Sequence, residues 1–338
     1  MPPEARILGL GFCLPEEQVA NEALSEVLGL DPGDISARCG IAIRHRAADG
    51  DGPSELARRA ADAALAAAGM SVADVGLIVF ATATPDVTFP GAACYLQRAL
   101  GAPTVGALDV RAQSAGFVCG LDLAGQFGAI EAPHGGLDPR YDRVLVAAGE
   151  VLTSGLEYAP RGADMTPRFG DGAAVAIVGR GDSGPRIGPV RWYTEGELAD
   201  RFWCEFPASW RYPLRIAEAD FAAGRHYPRA DLASLAPIAI DRIAAVAREV
   251  LDLRGWRASD LDLLIVDYVE PGVAAEAGKA LGIAPDRMRI PTAAFGHVLA
   301  AGLPIELARI LPSLAPGARV LLAAAGPGFT YGAATLEV

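Results

Sequence analysis

Positive charge is scarce in this chain. Its 338 residues hold 29 Lys and Arg against 41 Asp and Glu, a formal net charge of −12, and no basic cluster occurs. Nucleic acid and anionic membranes are bound through a positive field, so neither is an expected partner. Aromatics are few at 7%, while Ala and Gly abound, a composition suited to close helix–sheet packing. Long apolar runs are missing too: Val144–Ala148 and Val320–Ala325 fall far short of the roughly 20 residues that span a bilayer. The opening Met-Pro-Pro-Glu-Ala-Arg has no basic segment leading into an apolar one, so no secretory signal is expected. Cys13, Cys39, Cys94, Cys119 and Cys204 are scattered without a C-x-x-C pair. Neither a disulfide framework nor a zinc site follows, and free, buried thiols are expected. No metal-ligand spacing, Walker motif or dinucleotide fingerprint is present, so no metal and no bound cofactor is expected. These absences describe a soluble cytoplasmic protein.

Apolar residues make up 51% of the chain, enough for a sizeable core. Helical and strand patterns alternate throughout, the sign of an α/β architecture. Ser54 is the expected cap of a helix through Leu56, Ala60, Ala64 and Ala68, stopped by Gly69. The strand pattern Asp74-Val-Gly-Leu-Ile-Val-Phe-Ala follows, and it recurs at Asp260-Leu-Asp-Leu-Leu-Ile-Val-Asp, an offset of 186. Arg143-Val-Leu-Val-Ala-Ala-Gly recurs from Arg319 at an offset of 176, and Gly116–Ala124 matches Ala300–Ala308 near 184. Three ordered matches predict a duplicated unit, with halves at 1–180 and 181–338 divided by the Gly-rich stretch at Gly179. Residues 190–232, with Trp192, Trp203 and Trp210, fit neither half and read as an insertion. It is either a packed surface loop or a wall of the substrate entrance.

A strand ending in Ala107-Leu-Asp-Val leads through a small-residue turn at Ser114 into an apolar helix. A serine there sits at a helix N-terminus, where free N–H groups favour a developing oxyanion. Serine is equally a favoured helix cap. Five segments occur in order: Arg38-Cys-Gly-Ile-x-x-Arg, Thr82-x-Thr-Pro-Asp, Asp109-Val-x-Ala-x-Ser-Ala-Gly-Phe, Phe169-Gly-Asp-Gly-Ala-Ala and Gly326-Pro-Gly-Phe-Thr-Tyr-Gly-Ala. Together they resemble the beta-ketoacyl-acyl-carrier-protein synthase III family over essentially the whole chain. The resemblance implies a thiolase-like α/β fold, two βαβαβαββ halves in a five-layered αβαβα arrangement, and a homodimer.

The departures from that family carry the functional expectation. The resemblance implies a cysteine nucleophile where this chain has Ser114, a histidine where it has Asp267, and an asparagine where it has His297. The family's decarboxylating pair is thus replaced by the parts of a Ser–His–Asp set: Ser114 as nucleophile, His297 as base and Asp267 as orienter. Glu270 is the reserve orienter, and Cys119 reads as core. The resemblance places the oxyanion hole at the N–H of Ser114 and at the middle residue of the last Gly-rich motif. That residue is Pro327, which has no N–H, so Gly328 is the expected substitute donor. Asp34 stands where the family can stack a tryptophan on coenzyme A, so weaker coenzyme A binding is expected. Arg38 is either a contact for a phosphopantetheine donor or half of a surface ion pair.

The expected function is an acyltransferase of polyketide or other secondary metabolism. It takes an acyl group from a carrier protein or coenzyme A thioester, holds it as an acyl-Ser114 ester and passes it to an alcohol or amine. The alternatives are a starter-unit ketosynthase that uses malonyl-carrier protein, a thioesterase, and a silent partner of another ketosynthase-like subunit.

Overall fold

The computed structural model describes residues 5–338. The main elements of its first half are β1 (Arg6–Cys13), α1 (Pro53–Ala68), β2 (Leu77–Ala81), α2 (Ala92–Leu100), β3 (Gly106–Val110), α3 (Gly116–Gly128), β4 (Arg143–Glu150) and β5 (Gly172–Gly179). The same succession then repeats as β6 (Arg186–Thr194), α4 (Leu232–Arg254), β7 (Leu263–Asp267), α5 (Pro271–Ala280), β8 (Met288–Arg289), α6 (Gly302–Ile310), β9 (Arg319–Gly326) and β10 (Thr330–Glu337). These ten strands join one sheet in the order β8-β7-β9-β10-β6-β1-β5-β4-β2-β3. Counted outward from the seam between β1 and β6, each set runs first, fifth, fourth, second, third. The seam itself rests on a single register pair, Arg6 with Arg186.

Alternation along the strands generates the five layers. In β2, Leu77, Val79 and Ala81 join a central core with α3 and α6, while Ile78 and Phe80 face α1 and α2. In β7, Leu263 and Ile265 face that central core, and Leu264 and Val266 face α4 and α5. A strand covered on both sides reads as a continuous apolar run, which is why these segments lack visible alternation. The Ala and Gly content has a direct use here. Side chains at Gly9 or Gly11 would collide with the backbone of α1 at Ala64 and Ala60, so β1 and this alanine-faced helix touch almost backbone to backbone.

Several boundaries differ from expectation. Helix α1 is capped by Gly52 with Pro53 at its first position, and Gly69 ends it in the left-handed conformation. Ser54 lies inside the helix instead, its hydroxyl donating to Asp86 at 2.6 Å. The strand β6 runs to Thr194, so the irregular segment begins at residue 195, not 190. The five cysteines are free as expected, but only Cys39 and Cys119 are buried, and Cys94 and Cys204 are exposed. Among the described residues, no helix is long and apolar enough to cross a membrane.

Glu150, wholly buried at the end of β4, pins the loop after β2 by accepting from Ala83 N at 3.0 Å, Thr84 N at 3.1 Å and Thr84 Oγ1 at 2.7 Å. Burial outweighs these donors and raises its pKa from 4.5 to about 7. The folded state therefore holds this proton more tightly than the unfolded chain does. The resulting stability is complete below about pH 4.5 and lost as pH climbs through about 7. Thermal unfolding should accordingly shift to lower temperature between pH 5 and pH 8, and Glu150→Gln should flatten that slope. An unchanged slope in the variant would assign the pH dependence to other groups.

Candidate active site

Ser114 owes its position to a strained turn. Strand β3 ends at Val110, and the chain enters α3 through a single 3-10 turn, Gln113–Ala115. Gln113 has φ +49°, left-handed territory that side chains other than glycine rarely occupy and that clusters at functional sites. Asp109, at the end of β3, accepts from Ala92 N at 2.7 Å and Ala93 N at 2.8 Å, tying the strand to the start of α2. The turn has a twin at Leu299–Ala301 before α6, where Leu299 has φ +37° and Ala300 stands where the first turn has Ser114. The twins abut, since a Cβ on Gly116 would come within 2.9 Å of the Ala300 methyl. This register makes the helix offset 186; small residues such as Ala-Ala-Gly slide against one another cheaply, which blurs it to 184 in the sequence.

Ser114, Asp267, Thr292 and His297 converge in the buried interior. Ser114 Oγ lies 3.3 Å from His297 Nε2. The imidazole is fixed through its backbone: His297 N donates to Arg168 O at 2.8 Å, and His297 O accepts from Gly170 N at 3.1 Å. On its far side, His297 Nδ1 lies 3.0 Å from Thr292 Oγ1, and the Thr292 hydroxyl donates to Asp267 Oδ1. A hydroxyl has one proton to give. With that proton on Asp267, the Thr292 oxygen accepts from His297 Nδ1–H, which leaves the Nε2 lone pair facing Ser114. Asp267 Oδ2 is 3.5 Å from Nδ1 and has no hydrogen-bond partner of its own. The orienting carboxylate is thus present at the end of β7, but Thr292 makes the closer link to the ring.

Model descriptions of this family match at two places: 3-oxoacyl-[acyl-carrier-protein] synthase III at residues 108–196, and the C-terminal part of the same enzyme at residues 251–338. A beta-ketoacyl-[acyl-carrier-protein] synthase III of Streptomyces coelicolor is 33% identical over 334 residues, covering 98% of this chain and 96% of that protein. The chain belongs to the beta-ketoacyl-acyl-carrier-protein synthase III family. The crystal structure of the Aquifex aeolicus synthase III superposes with a TM-score of 0.85 at 27% identity, covering 99% of this chain and all of that one. A priming beta-ketosynthase from the R1128 polyketide pathway gives 0.85 at 25% identity, with 100% and 98% covered.

The other expected site residues fall in three places. Pro327 and Gly328 line a cavity of about 430 Å³ together with Gln113, Leu299 and Phe169, while Gly326 presses on Ser114 so closely that a Cβ there would overlap its Oγ. Arg38 forms an exposed pair with Asp164 at 3.1 Å, on the rim of a separate cavity of about 790 Å³ that Asp164 lines. Glu270 faces Arg168 at 3.7 Å rather than His297, which removes it as the reserve orienter. Cys119 is buried, and burial followed by the nearby Asp122 pushes its thiol up to about 11, as befits core. The irregular segment supplies Phe202, Trp203, Cys204, His226 and Pro228 to the 430 Å³ cavity, so it forms a wall beside Ser114. Thr292 was not anticipated. Its one sequence signal is a hydroxyl five residues before His297.

Proposed function

We propose that this chain is an acyltransferase working through an acyl-Ser114 ester. The carrying observation is the 3.3 Å approach of Ser114 Oγ to His297 Nε2, in the tautomer that the Thr292–Asp267 link imposes. As Oγ bonds to the carbonyl carbon of a carrier-protein or coenzyme A thioester, its proton moves to Nε2. The oxyanion draws on Ser114 N–H and Gly328 N–H. Collapse breaks the C–S bond, and the departing sulfur takes the proton from His297. An alcohol or amine then gives a proton to His297 as it attacks the ester carbonyl, and Oγ leaves with that proton. Asp267 stabilises the transient imidazolium through Thr292 and across the 3.5 Å gap. Ser114 is wholly buried, so the cavity floor around Gln113 and Leu299 must part to admit the carbonyl.

Kinship with named synthases favours a second reading, condensation with malonyl-carrier protein. An oxyester is a weaker electrophile than a thioester toward a carbon nucleophile, and the family's histidine and asparagine positions hold Asp267 and His297. Intact-protein mass spectrometry after exposure to a panel of acyl thioesters tests the proposal. Wild type should gain the mass of one acyl group and Ser114→Ala none. A mass unchanged by every donor would instead support a silent partner. Adding alcohols, amines or malonyl-carrier protein to the acylated form then separates transfer, hydrolysis and condensation by product.

A further inference from the structure

The 430 Å³ cavity beside Ser114 differs in charge from three other cavities of the molecule. Its walls are mostly apolar, with Leu152, Leu156, Phe169, Phe202 and Trp203. Two groups that can be cationic, Arg111 and His226, also line it, and no Asp or Glu does. Acidic residues outnumber basic ones in this chain, and three other cavities each include carboxylates, such as Glu157, Asp122 and Asp51. Arg111 itself makes no ion pair, hydrogen bond or ring contact among the described residues. His226 Nδ1 is buried below the cavity surface and its ring rests on Tyr227 with centroids 4.0 Å apart, which leaves Arg111 as the group that meets an occupant. An unpaired guanidinium lining a cavity free of carboxylates is half of an anion site.

We propose that the cavity selects acyl groups bearing a second carboxylate, the half-thioesters of short dicarboxylic acids, with Arg111 as the charge partner. This rests on the reading of Ser114 as the residue acylated. Position argues for the acyl carboxylate over the phosphate of a pantetheine arm. Arg111 is three residues from Ser114, within about 11 Å by chain reach, whereas the phosphate lies at the far end of the arm from the reacting carbonyl. Apolar walls suit the methylene groups between the two carbonyl carbons, and the planar guanidinium suits bidentate capture of the terminal carboxylate. Arg111 thereby becomes a specificity-determining residue with no part in the proton transfers.

Binding can be measured without turnover. Calorimetry would compare the pantetheine amides of succinate and pentanoate, which cannot be transferred, on wild type and on Arg111→Gln. A charge-assisted contact should make the succinamide bind about tenfold tighter than the pentanamide to wild type, with the two equal in the variant. Arg111 is exposed and unpartnered, so the variant should fold, and Arg111→Lys should restore part of the preference. Equal binding of the two amides to wild type would overturn the proposal. So would a preference that survives Arg111→Gln, or an Arg111 dependence seen only with the 4′-phosphopantetheine form of the pentanamide. Intact-mass measurement with the corresponding thioesters reports separately on Ser114, so a failure of acylation and a failure of carboxylate selection give different results.

Discussion

His297→Ala is expected to slow acylation of Ser114 by about 10²–10⁴-fold, the usual worth of a positioned base, with binding of the non-transferable donor amides unchanged. The reason is chemical. A serine hydroxyl is almost never ionised near neutral pH, and His297 Nε2, 3.3 Å from Oγ, is the ring nitrogen placed to take its proton. Timed intact-mass measurements would supply the rates. A thiol ionises far more readily, so the same substitution in a Ser114→Cys background should cost much less. Equal losses in the two backgrounds would mean that His297 serves the site by packing and not by moving a proton.

The second large effect is expected at Thr292. Valine matches threonine in shape but deletes the hydroxyl that connects His297 Nδ1 to Asp267 Oδ1. Both polar atoms then remain buried without their present partner, at a cost of about 1–3 kcal/mol in stability. Loss of tautomer control should lower the acylation rate by about 5–150-fold, the same energy converted to a rate ratio. Donor binding should not move, because Thr292 is a positioning residue, and Thr292→Ser should recover most of the rate. Should Thr292→Val acylate at the wild-type rate, the direct approach of Asp267 Oδ2 to Nδ1 at 3.5 Å is sufficient and the hydroxyl link is dispensable.

Much of the architecture was legible because it is written in apolar runs and repeated. The strands β2 and β7, and β4 with β9, are near copies, so their matching places in the sheet follow from matching sequence. The pairing of Ser114 with His297 was legible for another reason: both stand at positions where the resemblance implies reacting side chains. Thr292 was not, since a single hydroxyl has no periodicity and its role depends on where the short helix Pro291–Phe295 comes to rest against β7. Glu150 was hidden in the same way, its reach to Thr82, Ala83 and Thr84 in the loop after β2 being a tertiary fact. Ser54 shows the opposite error. A favoured cap residue was available, but Pro53 fits the first helical position so well that the helix starts earlier and the serine turns to Asp86. The burial of thiols was overstated because composition does not say which face of α2 reaches water, and Cys94 lies on that face.

The hydroxyl-free turn at Leu299–Ala301 has a part to play despite its inert side chain. The two halves carry the same turn and only one of them holds a hydroxyl, so the other is judged by its bulk alone. Because its Ala300 abuts Gly116 at the start of α3 and it runs straight into α6, it sets the spacing between the half that carries Ser114 and the half that carries His297. Its alanine is a shim: a larger residue there would detune the reaction from across the molecule's own axis of duplication, with every reacting atom still in place.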